Sequence, residues 1–259
     1  MGLKTKNEIV RNWLPRYTGT AIEDFGKYIL LTNFSNYIQK FASIHNCEIK
    51  GHGMPMQTAT SEDGITLINF GIGAANAATI MDLLTVVEPQ ACLFLGKCGG
   101  LKPIVSVGDL ILPIAAIRGD GVSDDYFPEE VPALPSFQLQ RAVSHIISEY
   151  KRDYFSGTVY STNRRVWEHD EEFKAYLKKI RAIGIDMETA TLFIVGFANH
   201  IPKGALLLVS DTPMSPEGVK TEASDRHVTQ NYVDMHLSIG IDSLRELKAT
   251  GVSVKHLRF

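Results

Sequence analysis

Two short acidic segments carry the side chains that acid catalysis requires. In the first, Asp211 follows Ser210 at the end of the apolar run 204–209. A carboxyl group beside the buried end of a strand loses hydration, which raises its pKa, and an acid still protonated near neutral pH can act as a general acid. Aspartate also commonly opens a turn or caps a helix at such a position. The residues alone leave both roles open for Asp211.

The second acidic segment is Asp186-Met187-Glu188, which precedes an almost wholly apolar stretch, residues 189–198. The helix dipole favours acidic residues in a first turn, and this is one explanation of the segment. If the helix is buried, however, Glu188 needs hydrogen-bond donors, and a pair of sugar hydroxyls would supply them. Met187 could fill the core or form an adaptable apolar surface beneath a sugar.

Residues 161–168 combine hydroxyls, two arginines and one of the two tryptophans of the chain. Such a segment could be a solvated loop in which Trp167 plugs the core. Alternatively, Trp167 could border a purine while Arg165 approaches a phosphate, with Ser161 and Thr162 beside them.

The sequence Gly71-Ile-Gly73-Ala-Ala-Asn76 matches only part of the dinucleotide-binding fingerprint G-x-G-x-x-G. Its third glycine is Asn76, so a tight strand-to-helix turn is the preferred interpretation. The turn could still present backbone N–H groups near Gly73 to an anion or hydroxyl. The eight histidines and three cysteines lack metal-ligand spacing, so no metal is predicted, and His227 and His236 are expected to be solvated.

The hydrophobic pattern predicts the elements that must position these groups. It predicts strands over residues 28–32, 65–70, 91–96, 108–113, 157–160, 182–187 and 204–211, and helices from residue 34 and over 75–87, 137–150, 171–179, 188–198 and 225–248. This alternation favours an α/β domain with a mainly parallel sheet. The first 25 residues have no clear periodicity and are expected to form an arm of a single domain spanning residues 1–259.

Polar residues and glycines follow several of the predicted strands. They are Asn33, Gly73, Gly96, Lys97 and Ser210. In open α/β sheets, ligands bind at the carboxyl ends of the strands, so we expect these residues to converge on one site.

Composition excludes several other classes of function. The chain has 259 residues, 44% hydrophobic and 21% charged, and its 26 basic residues are outnumbered by 29 acidic ones, which disfavours nucleic-acid binding. No apolar run is long enough to span a bilayer, no signal peptide is visible, and three cysteines cannot form a disulfide framework. We therefore expect a cytoplasmic protein with neither a membrane nor a nucleic-acid partner.

Four motifs, in this order and spacing, resemble the nucleoside phosphorylase/nucleosidase superfamily, and within it the catalytic domain of the AMP nucleosidase family. They are Phe-Leu-Gly-Lys-Cys-Gly-Gly-Leu at 94–101, Gly-Thr-Val-Tyr-Ser-Thr at 157–162, Asp-Met-Glu-Thr-Ala at 186–190 and Val-Ser-Asp at 209–211. The resemblance extends from about residue 28 to the C-terminus. It implies a three-layer α/β/α fold around a mixed, mainly parallel sheet, and homo-oligomers, either dimers or hexamers built from dimers.

The resemblance also implies roles for particular residues. Asp211 would protonate or hydrogen-bond N7 of a purine, and Glu188 would bind the 2′ and 3′ hydroxyls of the ribose. Met187 would pack below the ribose, and the segment 161–167 would flank the base.

Two positions depart from the phosphorylase pattern. Phosphorylases of the superfamily have an arginine and a serine that contact inorganic phosphate where this chain has Phe94 and Lys97, which favours water as the nucleophile. AMP nucleosidases typically have histidine at the position of Lys97. The implied reaction is hydrolysis of AMP to adenine and ribose 5-phosphate, without a cofactor.

The residues that would hold the phosphate and the water are less defined. Lys97, Arg118, Arg165 and Arg226 are the candidates for the 5′-phosphate, and Asn33 is a candidate for the water. The alternatives are a purine nucleoside phosphorylase, a methylthioadenosine-type nucleosidase, and a nucleotide-binding sensor without turnover.

Overall fold

Strands and helices alternate along residues 4–251, the part of the chain that this computed structural model describes. Nine strands form one sheet there: Tyr28–Thr32 (β1), Ile49–Lys50 (β2), Gln57–Thr60 (β3), Ile65–Asn69 (β4), Ala91–Gly100 (β5), Leu110–Gly119 (β6), Phe155–Thr162 (β7), Gly184–Asp186 (β8) and Lys203–Asp211 (β9). The α-helices of the same range are Lys6–Thr18 (α1), Ser35–His45 (α2), Ala74–Leu83 (α3), Phe137–Glu149 (α4), Glu171–Ile180 (α5), Thr189–Ala198 (α6), Glu222–Asn231 (α7) and Val233–Thr250 (α8).

The central strands are apolar on both faces because helices cover both sides of the sheet. In β5, Cys92 and Phe94 belong to one hydrophobic cluster with α1, α3 and α6. Leu93 and Leu95 point the other way and belong to a second cluster with α2, α4 and α8. Alternate side chains of a strand lie on opposite faces, so this division is what a doubly covered sheet requires. The predicted three-layer α/β/α architecture is confirmed.

The sheet is mixed, with the order β2-β3-β4-β1-β5-β8-β7-β6-β9 and a further pairing between β5 and β9. Parallel pairing joins β1 to β4 and β5, β5 to β9, and β7 to β6 and β8, whereas the remaining pairs are antiparallel. Because β9 pairs with both β6 and β5, five strands close into a ring. The closure brings the ends of β5, β7, β8 and β9 to one place.

The expectation of an N-terminal arm over residues 1–25 is wrong for the part that the structure describes. Residues 6–18 form α1, which begins with a capping box between Thr5 and Glu8. Val10 and Leu14 of this helix are buried in the core. The capping pattern was present in the sequence, but two buried apolar positions are too few to give a clear period.

The C-terminal helix and His236 also differ from expectation. The predicted helix 225–248 is two helices, α7 and α8, divided at Tyr232. His236 is fully buried rather than solvated: its Nδ1 lies 2.7 Å from the Tyr37 hydroxyl and its Nε2 lies 3.0 Å from the carbonyl oxygen of Leu206. Of the helices within residues 4–251, none combines the length and apolarity that a membrane crossing needs.

Candidate active site

One pocket opens where β1, β5, β7, β8 and β9 end, at their carboxyl sides. Most of its walls come from the loops that follow these strands. The lining residues are Asn33, Phe34, Ile72, Lys97, Cys98, Gly99, Thr162, Arg164, Arg165, Trp167, Glu168, Ile185, Asp186, Met187, Glu188, Ser210, Asp211, Pro213 and Lys220. Nine of the fourteen site residues predicted from the sequence therefore lie together: Asn33, Lys97, Thr162, Arg165, Trp167, Met187, Glu188, Ser210 and Asp211.

Glu188 is a buried carboxyl group at the start of α6, with few hydrogen-bond donors near it. Its Oε1 accepts from the backbone N–H of Gly73 at 2.7 Å, and its Oε2 accepts from that of Met187 at 3.3 Å. Burial, reinforced by the nearby charge of Asp186, raises the pKa of Glu188 to about 8, against the smaller opposing effect of Gly73 and Asn33. A group with such a pKa changes its protonation state readily when a ligand supplies or removes hydrogen bonds.

Asp186 differs from its neighbour Glu188 in the hydrogen bonds that its carboxylate receives. Its carboxylate accepts from the Ser161 hydroxyl at 2.6 Å, from the Thr189 N–H at 2.9 Å and from the Thr189 hydroxyl. These three donors stabilise a buried negative charge, although burial still raises the pKa of Asp186. Ser161 is completely buried and also accepts from the N–H of Ala190. Ser161 was predicted to contact substrate, but it does not line the pocket, and its hydroxyl instead holds the Asp186 carboxylate.

The glycine turn before α3 serves Glu188. Gly73 has φ +97°, a conformation that side-chain-bearing residues rarely adopt, and this backbone directs its N–H towards Glu188. The Gly73 N–H, expected to bind an anion or hydroxyl of a ligand, is therefore already used by the carboxyl group of Glu188. Gly73 does not line the pocket directly.

Asp211 stands at the last position of β9. A bulge in the β5–β9 ladder after Cys98 sets it opposite Gly99. The Ser210 hydroxyl donates to Asp211 Oδ1 at 2.6 Å. Burial raises the pKa of Asp211, and the hydrogen bond from Ser210 and the positive charges of Lys220 and Arg165 only partly oppose this effect. The side chain therefore keeps its proton to a higher pH than an exposed aspartate does.

The cationic part of the pocket contains Lys97 and Lys220. The side chain of Lys97 is only 2% exposed, and its ammonium lies 3.1 Å from Asp225 Oδ1 and 4.6 Å from the centre of the Phe34 ring. Burial lowers the pKa of Lys97, and the contact with Asp225 works against this. Lys220 Nζ lies 2.9 Å from the same oxygen of Asp225. No sequence pattern indicated Lys220, because it is a single lysine in a loop before α7.

The segment after β7 forms another wall. Trp167 is 4% exposed and packs edge-on against Phe173 with ring centres 5.4 Å apart, while it also lines the pocket. Trp167 therefore packs in the core and also lines the pocket, and its contact with a purine stays a prediction. Arg165 pairs with Glu168 at 3.3 Å, and its side chain is 61% exposed, so it can reorient. Arg164 and Glu168, within the same segment, also line the pocket although we did not single them out.

Besides Ser161 and Gly73, three further predicted substrate contacts lie outside this pocket. Arg118 is almost fully buried, and its guanidinium donates to the carbonyl oxygens of Phe127, Pro128 and Val131 and to Asp124. It holds the loop 120–135 in place and has no free donor for a phosphate. Arg226 is exposed on α7 and pairs with Glu222 at 2.7 Å.

Gly96 is the third. It lies inside β5, where an added Cβ would stand 2.5 Å from the Phe94 ring and 3.0 Å from Leu207. A glycine is therefore required there by packing, and the signal that we interpreted as a ligand contact arises from the core.

Asn33 has an unused acceptor. Its Oδ1 is buried and has no hydrogen-bond partner within residues 4–251. Because an unpaired buried polar atom is costly, a ligand or water that donates to this oxygen would be stabilised. In the same range, no group of three or more His, Cys, Asp or Glu side chains is arranged to hold a metal ion.

An α/β sheet partly closed on itself, with two buried acids at its carboxyl edge, defines the class of protein. The sequence model of the phosphorylase superfamily matches residues 27–239. The chain belongs to this superfamily.

Particular relatives narrow the comparison. AMP nucleosidase of Escherichia coli K12 is 32% identical over 92% of this chain, and the chain spans 58% of the length of that relative. The crystal structure of AMP nucleosidase from Bacteroides thetaiotaomicron VPI-5482 is 54% identical, with a TM-score of 0.86 over 95% of this chain and 99% of that one. Uridine phosphorylase from Vibrio fischeri ES114 has the same fold, with a TM-score of 0.75 at 21% identity over 87% of this chain and 93% of that one.

Proposed function

We propose that this protein hydrolyses the N-glycosidic bond of AMP and releases adenine and ribose 5-phosphate. The observation that carries the proposal is the presence of two buried carboxyl groups with raised pKa values, Asp211 and Glu188, in one pocket. The similarity to AMP nucleosidases over nearly the whole chain supports AMP as the substrate.

In the proposed reaction, Asp211 is the general acid. Breaking the C1′–N9 bond sends its electron pair to the base, and the proton of Asp211 goes to N7, so that adenine leaves as a neutral molecule. Proton transfer of this kind accelerates a reaction by about 10²- to 10⁴-fold. The raised pKa of Asp211 supports this role, and the hydrogen bond from Ser210 fixes the orientation of its carboxyl group.

Glu188 would stabilise the ribose as positive charge develops at C1′. The ribose 2′ and 3′ hydroxyls would donate to its carboxylate, and these bonds would favour the charged form of Glu188. A negative group held in place before the reaction stabilises an oxocarbenium-like transition state. Met187, which lines the pocket beside it, would pack against the sugar.

Water is the proposed nucleophile: its oxygen bonds to C1′, and the proton that it loses replaces the one that Asp211 gave to N7. Two observations support water. The position where phosphorylases have an arginine holds Phe94, which is 1% exposed and packs against Phe70 with ring centres 5.8 Å apart. No cation can therefore hold an inorganic phosphate from that position. The unused oxygen of Asn33 could accept a hydrogen bond from a water near Glu188.

The test is an assay of purine release with AMP, adenosine and methylthioadenosine, each with and without inorganic phosphate. We expect adenine from AMP at a rate that does not require phosphate. Strict dependence on phosphate with adenosine as the preferred substrate would establish a phosphorylase instead. Preference for methylthioadenosine would indicate an apolar 5′ pocket, and tight AMP binding without turnover would indicate a sensor.

We further propose a cytoplasmic homo-oligomer, either a dimer or a hexamer. Cys47, Cys92 and Cys98 are free thiols, which is typical of proteins in reducing compartments. Phe137 and Ile114 are 74% and 57% exposed, and large exposed apolar side chains are common at subunit interfaces. Light scattering coupled to size-exclusion chromatography would test the oligomer, and fluorescence microscopy of the tagged protein would test the location.

A further inference from the structure

Asp225 pairs with two of the lysines that line the pocket. One oxygen, Oδ1, lies 3.1 Å from Lys97 Nζ and 2.9 Å from Lys220 Nζ. Thr229, one turn further along α7, completes the group with its hydroxyl 3.2 Å from Lys97 Nζ. A single carboxylate oxygen is thus shared by two ammonium groups, both of which line the pocket.

Lys97 differs from Asp225 in how easily its side chain can move into solvent. Lys97 is fixed in the fully buried strand β5, and its side chain is 2% exposed, so its charge needs a negative partner at all times. The ring of Phe34 stabilises this ammonium but carries no charge. The Asp225 side chain, in contrast, is 43% exposed on α7 and can turn into solvent without a buried charge remaining on it.

The charges also match those of a phosphate group. A phosphate monoester carries a charge of about −1.5 to −2 near pH 7 and has three acceptor oxygens. Two ammonium groups would neutralise it, whereas the single charge of Asp225 leaves the lysine pair with an excess of positive charge.

We propose that Lys97 and Lys220 form the phosphate subsite of this pocket and that Asp225 occupies it as an internal substitute that a phosphate group must displace. The group could be the 5′-phosphate of a nucleotide or free inorganic phosphate, and the naming of a nucleotide rests on the proposed function. Asp225 thereby weakens phosphate binding, because only the fraction of protein in which the lysines are not paired with Asp225 can bind a phosphate group.

The test compares Asp225→Asn with wild type by isothermal titration calorimetry, using ribose 5-phosphate, inorganic phosphate and adenosine as separate probes. If Asp225 pairs the lysines more than nine-tenths of the time, its removal should lower the Kd of ribose 5-phosphate by about tenfold or more. The Kd of adenosine, which has no phosphate, should change less than twofold. Tightening of ribose 5-phosphate alone identifies the subsite as that of the 5′-phosphate, and tightening of both phosphates identifies a subsite open to free phosphate.

Glu222→Gln is the matched control, because Glu222 is an exposed acid on the same helix that pairs with Arg226. It should leave all three Kd values unchanged. Equal tightening in the control would show a general effect of charge and would overturn the proposal. So would an Asp225→Asn variant that binds ribose 5-phosphate no more tightly than wild type.

Two further measurements keep the proposal testable if Asp225→Asn folds poorly. Lys220→Met should weaken ribose 5-phosphate at least tenfold, and unchanged binding would overturn the subsite. A crystal structure of the wild-type protein with ribose 5-phosphate should show phosphate oxygens on both ammonium groups and Asp225 Oδ1 more than about 4 Å from Lys97 Nζ, beyond ion-pair distance. Phosphate bound elsewhere, or bound with Asp225 still in place, would refute displacement.

These binding experiments do not depend on turnover. If the protein releases no adenine from AMP but the phosphate probes behave as described, the proposed reaction is wrong and the subsite stands. If adenine is released and Asp225→Asn has no effect on the phosphate probes, the reaction stands and the subsite proposal is wrong.

Discussion

Replacing Asp211 with asparagine tests the proposed proton transfer most directly. The amide has nearly the same shape, and its oxygen can still accept the hydrogen bond that Ser210 donates at 2.6 Å, so we expect AMP to bind with a Kd within a few-fold of wild type. Asparagine cannot give a proton to N7. The expected loss in kcat is about 10²- to 10⁴-fold, which corresponds to about 3–5 kcal/mol in the activation free energy.

The assay is release of adenine from AMP, followed by chromatography, with AMP binding measured by calorimetry on the same preparation. Wild-type kcat should also fall as the pH rises through the pKa of Asp211, which burial has raised, because the acid must be protonated to react. This alkaline limb should be absent from the residual activity of Asp211→Asn.

Asp153→Asn provides the control for this experiment. Asp153 is exposed before β7, at the opposite end of that strand from the pocket, and the same chemical change there should leave kcat and Kd unaltered. An Asp211→Asn variant with kcat within threefold of wild type, or with the alkaline limb retained, would refute the assignment of Asp211 as general acid.

Four other substitutions distinguish a residue of the candidate site from residues that stabilise the surrounding fold. Native Glu188 keeps its proton up to about pH 8, whereas the unfolded chain loses it near pH 4.5, so this group makes the free energy of unfolding fall as the pH rises between these values. Glu188→Gln should make the free energy of unfolding, measured in urea, depend less on pH over this range. The same substitution should also reduce adenine release. Tyr37→Phe should lower the free energy of unfolding by about 1–3 kcal/mol in urea, because buried His236 loses its partner at 2.7 Å. Arg118→Met should speed limited proteolysis between residues 120 and 135 without changing KM for AMP, because its donors hold that loop. Gly96→Ala should destabilise the protein by about 1–3 kcal/mol in the same urea assay, because the new Cβ would stand 2.5 Å from a phenyl ring.

Each of these expectations has a contrary outcome. A Glu188→Gln variant with the wild-type dependence of stability on pH would mean that another group takes up the proton. A raised KM for AMP in Arg118→Met would restore Arg118 as a phosphate contact. Unchanged unfolding free energies in Tyr37→Phe or Gly96→Ala would show that the surrounding core relaxes at little cost.

The secondary structure followed from the sequence wherever apolar residues repeat regularly. The strands β5 and β9 and the helix α6 are long apolar runs, and their positions were predicted to within a few residues, apart from the C-terminal extension of β5 to Gly100. The prediction of helices failed where few apolar residues repeat at helical spacing, or where that spacing continues across a break between two helices. Helix α1 buries only Val10, Leu14 and Thr18, and the break between α7 and α8 at Tyr232 is marked by neither proline nor glycine.

For the candidate site, the sequence predicted the acidic residues of the pocket better than the cations. Motif order indicated Asp211 and Glu188, which lie on separate elements and line one pocket. Arg118 and Arg226 were chosen only as cations, and charge alone does not show whether a side chain already has partners. Lys220 was missed for the same reason, since it matters through contacts with residues distant in sequence.

The amino-acid pattern by itself determined most of the segments that become strands and helices and which acids stand at their ends, because these properties depend on neighbours within a few positions. The tertiary structure decided the pKa values of those acids and lysines and the charged groups with which they pair. The pKa of Glu188 depends on burial at the start of α6 and on the N–H of Gly73, 115 positions away, and the pKa of Lys97 depends on burial and on Asp225, 128 positions away. Desolvation and charge pairing act through space, so only the folded chain sets them.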